Sequence, residues 1–332
     1  MDPITQGTLG ATAAQCGATS KNTAVTGTLG FVAGMAADLD VLIRSNSDPL
    51  LFLEYHRQFT HSLIFIPVGG LLCGLLLYYL YAKRRQFSLL QTIAACMLGY
   101  ATHALLDACT TYGTMLFWPF SELRVAWNVI SIVDPLYTPP ILLLVVLAGM
   151  RKNPNYARLA LVWALLYPLL GLVQRERAVD AGWELAQSRG HDPISLEAKP
   201  SFANIALWKI VYEVDQHYYI DAVRVDATTR YFPGEHVAKL DVARDFPWLD
   251  LDSQQAEDIE RFRWFSNGYI AIDQNNPRRI IDVRYSMIPN QVASLWSIEL
   301  SANARPDEHA RYLTHRNGAR ANVRILLEMI LN

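Results

Sequence analysis

Two long apolar runs, Leu63–Tyr81 and Leu89–Leu106, limit what this chain can fold into more than any other feature. Each approaches the roughly 20 residues that carry a helix across a bilayer. Between Ser62 and Phe120 the only charged side chains are Lys83, Arg84, Arg85 and Asp107, and the basic trio cuts one greasy region into two spans. A third candidate span is Val129–Met150, with Asp134-Pro135 and Pro139-Pro140, and a fourth is Ala157–Val173, with Pro168. Proline is tolerated at a helix start, or where neighbouring helices satisfy the freed backbone groups. A buried water-soluble bundle is the weaker alternative, because core helices of this length keep a polar face.

Charge falls unevenly along the 332 residues. Of the 29 basic and 31 acidic side chains, 19 lie in residues 1–175 and 41 in residues 176–332. The expected architecture is therefore an α-helical membrane bundle over residues 1–175, with about four transmembrane helices and short N-terminal helices. A soluble α+β domain with an antiparallel sheet follows over residues 176–332. A net charge of -2 supplies no broad basic face, which excludes nucleic acid as the main partner. Cys16, Cys73, Cys96 and Cys109 have neither disulfide-framework nor metal-site spacing and read as small core residues.

Short cytoplasmic loops are enriched in Lys and Arg. Lys83, Arg84 and Arg85 follow the first span, and Arg151, Lys152 and Arg158 lie between the third and fourth, so both loops are expected in the cytoplasm. The chain from Gln174 onward is then delivered to the outside. Residues 1–40 lack the basic start of a cleavable signal. Their small-residue stretches, Gly7–Ala18 and Thr26–Ala37, are too short to span alone and are expected as two helices packed on the bundle. In the polar half, Lys209–Val214 with Tyr218–Val225 and Tyr269–Asp273 with Arg279–Tyr285 read as hairpins. Asp252 with Gln255 resembles a capping box opening a helix to about Trp264.

Ionisable residues at membrane depth are costly and functional by default. Here they are Asp38, Asp40, His56, His61, His103, Asp107 and Asp134, and the expected topology puts nearly all of them at the outer ends of the spans. Imidazole nitrogen and carboxylate oxygen together suit zinc, manganese or iron. His103 and Asp107, four apart, project from one face of a helix. His56 and His61, five apart, need a turn through Gln58-Phe59-Thr60, with Thr60 or Ser62 capping the span. One of Asp38 and Asp40 can reach a metal while the other orients a histidine. Arg57 is a candidate for meeting a substrate anion, or else pairs with Asp38 or Glu54. Asp134, before Pro135, is a candidate base or a helix cap. The other five histidines read as solvated surface.

These residues carry a family resemblance. Asp38-Leu-Asp40, His56-Arg-Gln-Phe-Thr-His61-Ser62 and Gly99-Tyr100-Ala-Thr-His103-Ala-Leu-Leu-Asp107, with Tyr112-Gly113-Thr114, Trp118-Pro119-Phe120 and Asp134-Pro135, resemble the YdjM-like inner-membrane, metal-dependent hydrolases over about residues 1–175. The resemblance implies a multi-pass protein of the bacterial inner membrane with a divalent cation, zinc first, held by Asp40, His56, His61, His103 and Asp107. It also implies a distant likeness to zinc phospholipase C and P1-type nucleases. Members often begin MDPxTH, whereas Gln6 stands here in place of that histidine.

With a cation, the expected activity is hydrolysis of a phosphoester or ester of a lipid or lipid-linked substrate. Asp38 or Asp134 would be the general base and Arg57 would meet developing negative charge. The outer domain would be periplasmic. The rival readings are a membrane scaffold or stress-response partner with a structural metal, and a transporter, which lacks paired inverted halves here.

Overall fold

The computed structural model describes residues 1–315 and 319–331. The chain forms two compact units. The first comprises Met1–Leu42, Tyr55–Val173 and Phe202–Asn204, and the second Ile43–Glu54, Gln174–Ser201 and Ile205–Asn332.

In the first unit, α1 (Pro3–Cys16) is followed by α2 (Thr23–Met35), which runs on as a 3-10 helix, Ala36–Leu42. After the short α3 (Leu51–Tyr55) and two 3-10 turns, Phe59–His61 and Leu63–Phe65, come α4 (Ile66–Leu77) and α5 (Leu89–Ala108). The helices α6 (Thr138–Arg151) and α7 (Asn155–Ser188) complete the set, and α7 continues into the second unit. Among the described residues, four helical stretches are long and apolar enough to cross a membrane: Thr23–Leu42, Leu63–Arg85, Leu89–Ala108 and Asn155–Ser188.

Two expectations change. Thr23–Leu42 reaches spanning length because the 3-10 segment extends α2, although its small-residue stretch alone is too short. Conversely, Val129–Met150 is not one helix. Prolines 135, 139 and 140 delay the helix to Thr138, with Pro139 in its first turn, and the resulting 14 residues rise only about 21 Å.

The α4 helix and the π-helical turn that continues it, Tyr78–Ala82, turn Leu72, Leu76 and Leu80 outward, each about 60% exposed. Such a face suits lipid rather than water. Inward it offers Gly69, Gly70 and Gly74; a Cβ on Gly69 would sit 2.3 Å from the Tyr100 ring. Backbones approach closely where α1, α2 and α5 meet. A Cβ on Gly10 or on Gly99 would stand 2.4 Å from the Gly30 carbonyl oxygen. Small residues at such crossings let helices associate by van der Waals contact without a hydrophobic driving force. At the start of α5, Ser88 accepts from the Gln91 amide and the Gln91 side chain accepts from the Ser88 amide, satisfying two otherwise unpaired donors.

The second unit carries two antiparallel four-stranded sheets. One is β1 (Ser195–Pro200), β2 (Leu207–Val214), β3 (His217–Val225) and β4 (Thr229–Ala238), and the other is β5 (Ile270–Asp273), β6 (Asn276–Asp282), β7 (Trp296–Glu299) and β8 (Arg311–Thr314). Both expected hairpins are present as β2–β3 and β5–β6. Val211, Ile220, Tyr218, Tyr269, Ile281 and Val283 pack into a core drawn from both sheets. Three helices, α8 (Val242–Asp245), α9 (Gln254–Phe265) and α10 (Ala319–Leu331), accompany them. The α9 helix begins after Ser253, not Asp252, whose own amide donates to Asp250 Oδ1 in a turn. Cys96 is buried, the other three cysteines are partly so, and all four are free.

Lys209 lies inside this unit, with Nζ donating to Ser286 Oγ at 2.8 Å and to the Gln291 carbonyl at 2.9 Å. Burial pushes its pKa down to about 7, against the pull of Asp282 and Glu235. The unfolded chain, with lysine near its ordinary value, therefore binds more protons than the native state between about pH 7 and 10, and stability rises with pH over that window. Lys209→Met should accordingly gain in melting temperature, relative to wild type, more at pH 6 than at pH 9. An equal difference at both pH values in scans of the detergent-purified chain would contradict this.

Candidate metal centre

The chemistry of the first unit gathers where α2 ends, α4 is about to begin and α5 ends. The 3-10 continuation of α2 supplies Asp38 and Asp40, the 3-10 turn before α4 supplies His61, and the last turns of α5 supply His103 and Asp107. One donor atom from each of Asp38, His61, His103 and Asp107 lies within 4.8 Å of the other three. His61 Nε2 is 3.4 Å from Asp38 Oδ1 and 3.3 Å from Asp107 Oδ2. His103 Nε2 is 3.3 Å and 3.7 Å from the same two oxygens. Donors bonded at about 2.0–2.2 Å to a tetrahedral ion stand roughly 3.3–3.6 Å apart, so the spacing fits a small divalent cation.

Three of these atoms, His61 Nε2, His103 Nε2 and Asp107 Oδ2, are buried without a hydrogen-bond partner. Orphaned buried polar atoms cost free energy, and three converging here, with Asp107 Oδ2 also 3.1 Å from the Arg57 Nε, make the group a candidate cation site. The remaining ring nitrogens are committed. His103 Nδ1 donates to the Gly34 carbonyl at 2.6 Å. His61 Nδ1 is 3.0 Å from Thr60 Oγ1, which in turn donates to Asp40 Oδ2 at 2.8 Å. Each contact fixes the tautomer that turns an Nε2 lone pair toward the centre. The close packing of α2 on α5 at Gly30 and Gly99 brings the Gly34 carbonyl, one turn on, within reach of His103.

Asp40 is at the hub of a second layer. Its Oδ2 accepts from the Arg57 amide at 3.0 Å and lies 3.2 Å from His61 Nδ1, while Oδ1 is 2.7 Å from His56 Nδ1. Asp38, Asp40 and His56 also offer three donors within 4.8 Å of one another, but both Asp40 oxygens are already engaged. The geometry thus places Asp38 among the four converging donors, rather than as a base, and Asp40 behind His61. Gln58-Phe59-Thr60 makes the turn required between the two histidines, whose ring centroids are 5.9 Å apart. Neither Thr60 nor Ser62 caps the span; α4 starts after Phe65, without a side-chain cap.

Two expected catalytic residues are otherwise engaged. Asp134 Oδ1 accepts from the Leu136 amide and Oδ2 from the Tyr167 hydroxyl, both at 2.9 Å, so its carboxylate anchors the approach to α6 and belongs to neither donor group. Arg57 is 5% exposed; its Nε is 3.1 Å from Asp107 Oδ2, its Nη1 donates to Thr110 Oγ1, and its guanidinium lies over Tyr112. It holds Asp107 and is not free for a substrate anion. Glu54, its other suggested partner, pairs with Arg261. Asp107 Oδ1 is held by the Met1 amino group and by Gln6 Nε2, the latter at 2.8 Å. These supports, with Thr60, Gly34 and Thr110, carry no spacing signal of their own. Gln6, Arg57 and Thr60 stood out in the sequence, but Arg57 and Thr60 for other roles.

Burial disfavours a charged His61, yet Asp107, Asp38 and Asp40 outweigh it and lift the imidazole to about 10. Below that pH the cation-free site holds a proton on His61, which an incoming metal must displace. Affinity should therefore rise about tenfold per pH unit between pH 6 and 8, with one proton released per ion. Titration calorimetry in buffers of different ionisation enthalpy reads that proton directly, and a pH-independent affinity would refute it.

Comparison with known proteins agrees with this architecture. Residues 1–178, which hold every donor named above, match the family described as YdjM inner membrane protein. The chain is also 25% identical to the uncharacterized protein YfhP of Bacillus subtilis (strain 168) over 260 residues, 75% of this chain and 74% of the relative. No solved structure matches. With more than half of its length matched, the chain belongs to the YdjM family of inner membrane proteins.

Proposed function

We propose that this protein is a membrane-embedded, metal-dependent hydrolase of phosphoesters, acting on a lipid or lipid-linked substrate, with Asp38, His61, His103 and Asp107 holding a single zinc-class ion. The observation that carries the reading is the convergence of three orphaned buried atoms and an Asp38 oxygen within 4.8 Å of one another. A bound divalent cation polarises a phosphoryl oxygen and makes water nucleophilic near neutral pH. The chain's own residues hold and shape the site. Arg57 and Gln6 fix Asp107, Thr60 and Asp40 orient His61, and the Gly34 carbonyl orients His103. Asp38, 20% exposed against 0% for the other three donor side chains, is the edge by which substrate reaches the ion. On the charge asymmetry of the loops, that edge and the second unit lie on the periplasmic side, where lipid can enter laterally.

One observation favours a second reading. Four protein donors complete a tetrahedron, as structural sites do, and a scaffold with a structural metal would need no open position. The two readings separate in one experiment. Detergent-purified protein, loaded with zinc, manganese or iron, is given bis(p-nitrophenyl) phosphate and phospholipid in mixed micelles. Metal-dependent turnover supports the hydrolase. Full metal occupancy without turnover on either substrate supports the scaffold.

A further inference from the structure

The most exposed of the three histidines is built differently from the other two. His61 and His103 have fully buried side chains and each contributes an unpartnered Nε2, whereas the His56 side chain is 31% exposed and contributes no such atom. His56 Nδ1 is committed to Asp40 Oδ1 at 2.7 Å. Because a carboxylate only accepts, Nδ1 carries the hydrogen and Nε2 keeps the ring's one lone pair. A ring nitrogen of His56 lies within 4.8 Å of an Asp38 oxygen, so the imidazole stands beside the one partly exposed member of the cation group. Asp40 therefore serves two imidazoles: through Thr60 it orients the ligand His61, and directly it orients His56.

We propose that His56 is the general base of this site, not a ligand of its cation, and that Asp40 is its positioning residue. The assignment rests on the hydrolase reading above. In the step, His56 Nε2 takes a proton from the attacking water as an oxygen lone pair forms the new phosphorus–oxygen bond. The bond from phosphorus to the leaving oxygen breaks with its electron pair, and the imidazolium returns the proton to that oxygen. His56 ends neutral, and water is the only co-reactant. A histidine held by a carboxylate through Nδ1, with Nε2 left for the proton, is the usual arrangement of such a base.

The test compares wild type, His56→Ala, His56→Gln and Asp40→Asn as full-length, detergent-purified protein. Metal content, the absorption spectrum of the cobalt-substituted protein and turnover of bis(p-nitrophenyl) phosphate are measured on each. Both His56 variants are expected to keep one ion and the wild-type cobalt spectrum, while kcat falls by about 10²–10⁴. Added imidazole should restore part of the rate in His56→Ala alone. Asp40→Asn should lower kcat with KM unchanged and shift the cobalt spectrum, because it also touches the support of His61. Loss of the ion or a changed spectrum in both His56 variants would make His56 a ligand and overturn the proposal. So would wild-type turnover in either variant. An inactive wild type that still binds its ion fails at the earlier step, overturning the hydrolase reading and the base role with it.

Discussion

His103→Ala empties the cation site. Purified wild type is expected to carry close to one equivalent of zinc-class metal, and the variant essentially none after dialysis against a weak chelator. His103 is one of two imidazoles among four converging donors, its side chain is fully buried, and beyond His61 and His103 no described histidine has an unpartnered buried nitrogen. Support residues around metal ligands typically change affinity by about 10–100-fold, so loss of a ligand itself should exceed about 100-fold. On the hydrolase reading proposed above, metal-dependent turnover should fall to background with it. His61→Ala should behave alike, which guards against a folding defect peculiar to α5. His315→Ala, whose ring bonds Ser297 in the second unit, should retain the ion. Elemental analysis decides the matter, and full metal content in both ligand variants would dismantle the centre described above.

Gly99→Leu should be nearly as severe without removing a single ligand. Even a Cβ at this position stands 2.4 Å from the Gly30 carbonyl oxygen and 2.8 Å from its Cα, and both are backbone atoms that cannot rotate away. The α2 and α5 helices must separate. Overpacking of this kind costs about 1–3 kcal/mol, and more where backbone blocks backbone. The consequence is not confined to stability. Separation of α2 from α5 also draws the Gly34 carbonyl away from His103 Nδ1 and Asp38 away from His103 Nε2. Metal affinity should drop by about 10–100-fold along with the melting temperature. Gly149→Ala, where the added Cβ meets nothing closer than 3.7 Å, is the control expected to change neither. Wild-type affinity in Gly99→Leu would show that the crossing of α2 on α5 does not set the geometry of the site.

Much of the first unit can be read from the chain because lipid imposes its rules locally. A run of apolar residues and the basic trio after it suffice to place α4 and α5. The same locality explains the misreadings. Thr23–Leu42 is rich in glycine and alanine and looks too short, because the 3-10 extension that lengthens it bears Asp38 and Asp40, residues a span should exclude. Val129–Met150 looks long enough until the prolines decide where α6 can start. In the second unit the hairpins follow from alternation and turn residues, but the start of α9 moved by one residue, since Asp252 and Ser253 are both good caps and the turn at Asp250 uses Asp252.

At the site, ionisable residues beside apolar runs bring Asp38, Asp40, His56, His61, His103, Asp107 and Asp134 to notice, since such groups must find partners there. The same reading cannot apportion roles. Asp38 and Asp40 are chemically identical and two residues apart, and only the 3-10 turn sends one to the cation group and the other behind His61. Arg57 and Asp134 looked catalytic because they are charged where charge is costly, yet each turned out to be held by neighbours remote in sequence, Asp107 and Tyr167. By itself, then, the amino-acid sequence determined the membrane bundle, its family and the residue types of a metal centre, because burying charge in an apolar setting is decided by solvation and is visible residue by residue. Which atoms converge, which nitrogen keeps its lone pair and which carboxylate stands behind were decided by helix packing alone, because hydrogen bonds and coordination act over about 2–4 Å and depend on partners that no local pattern names.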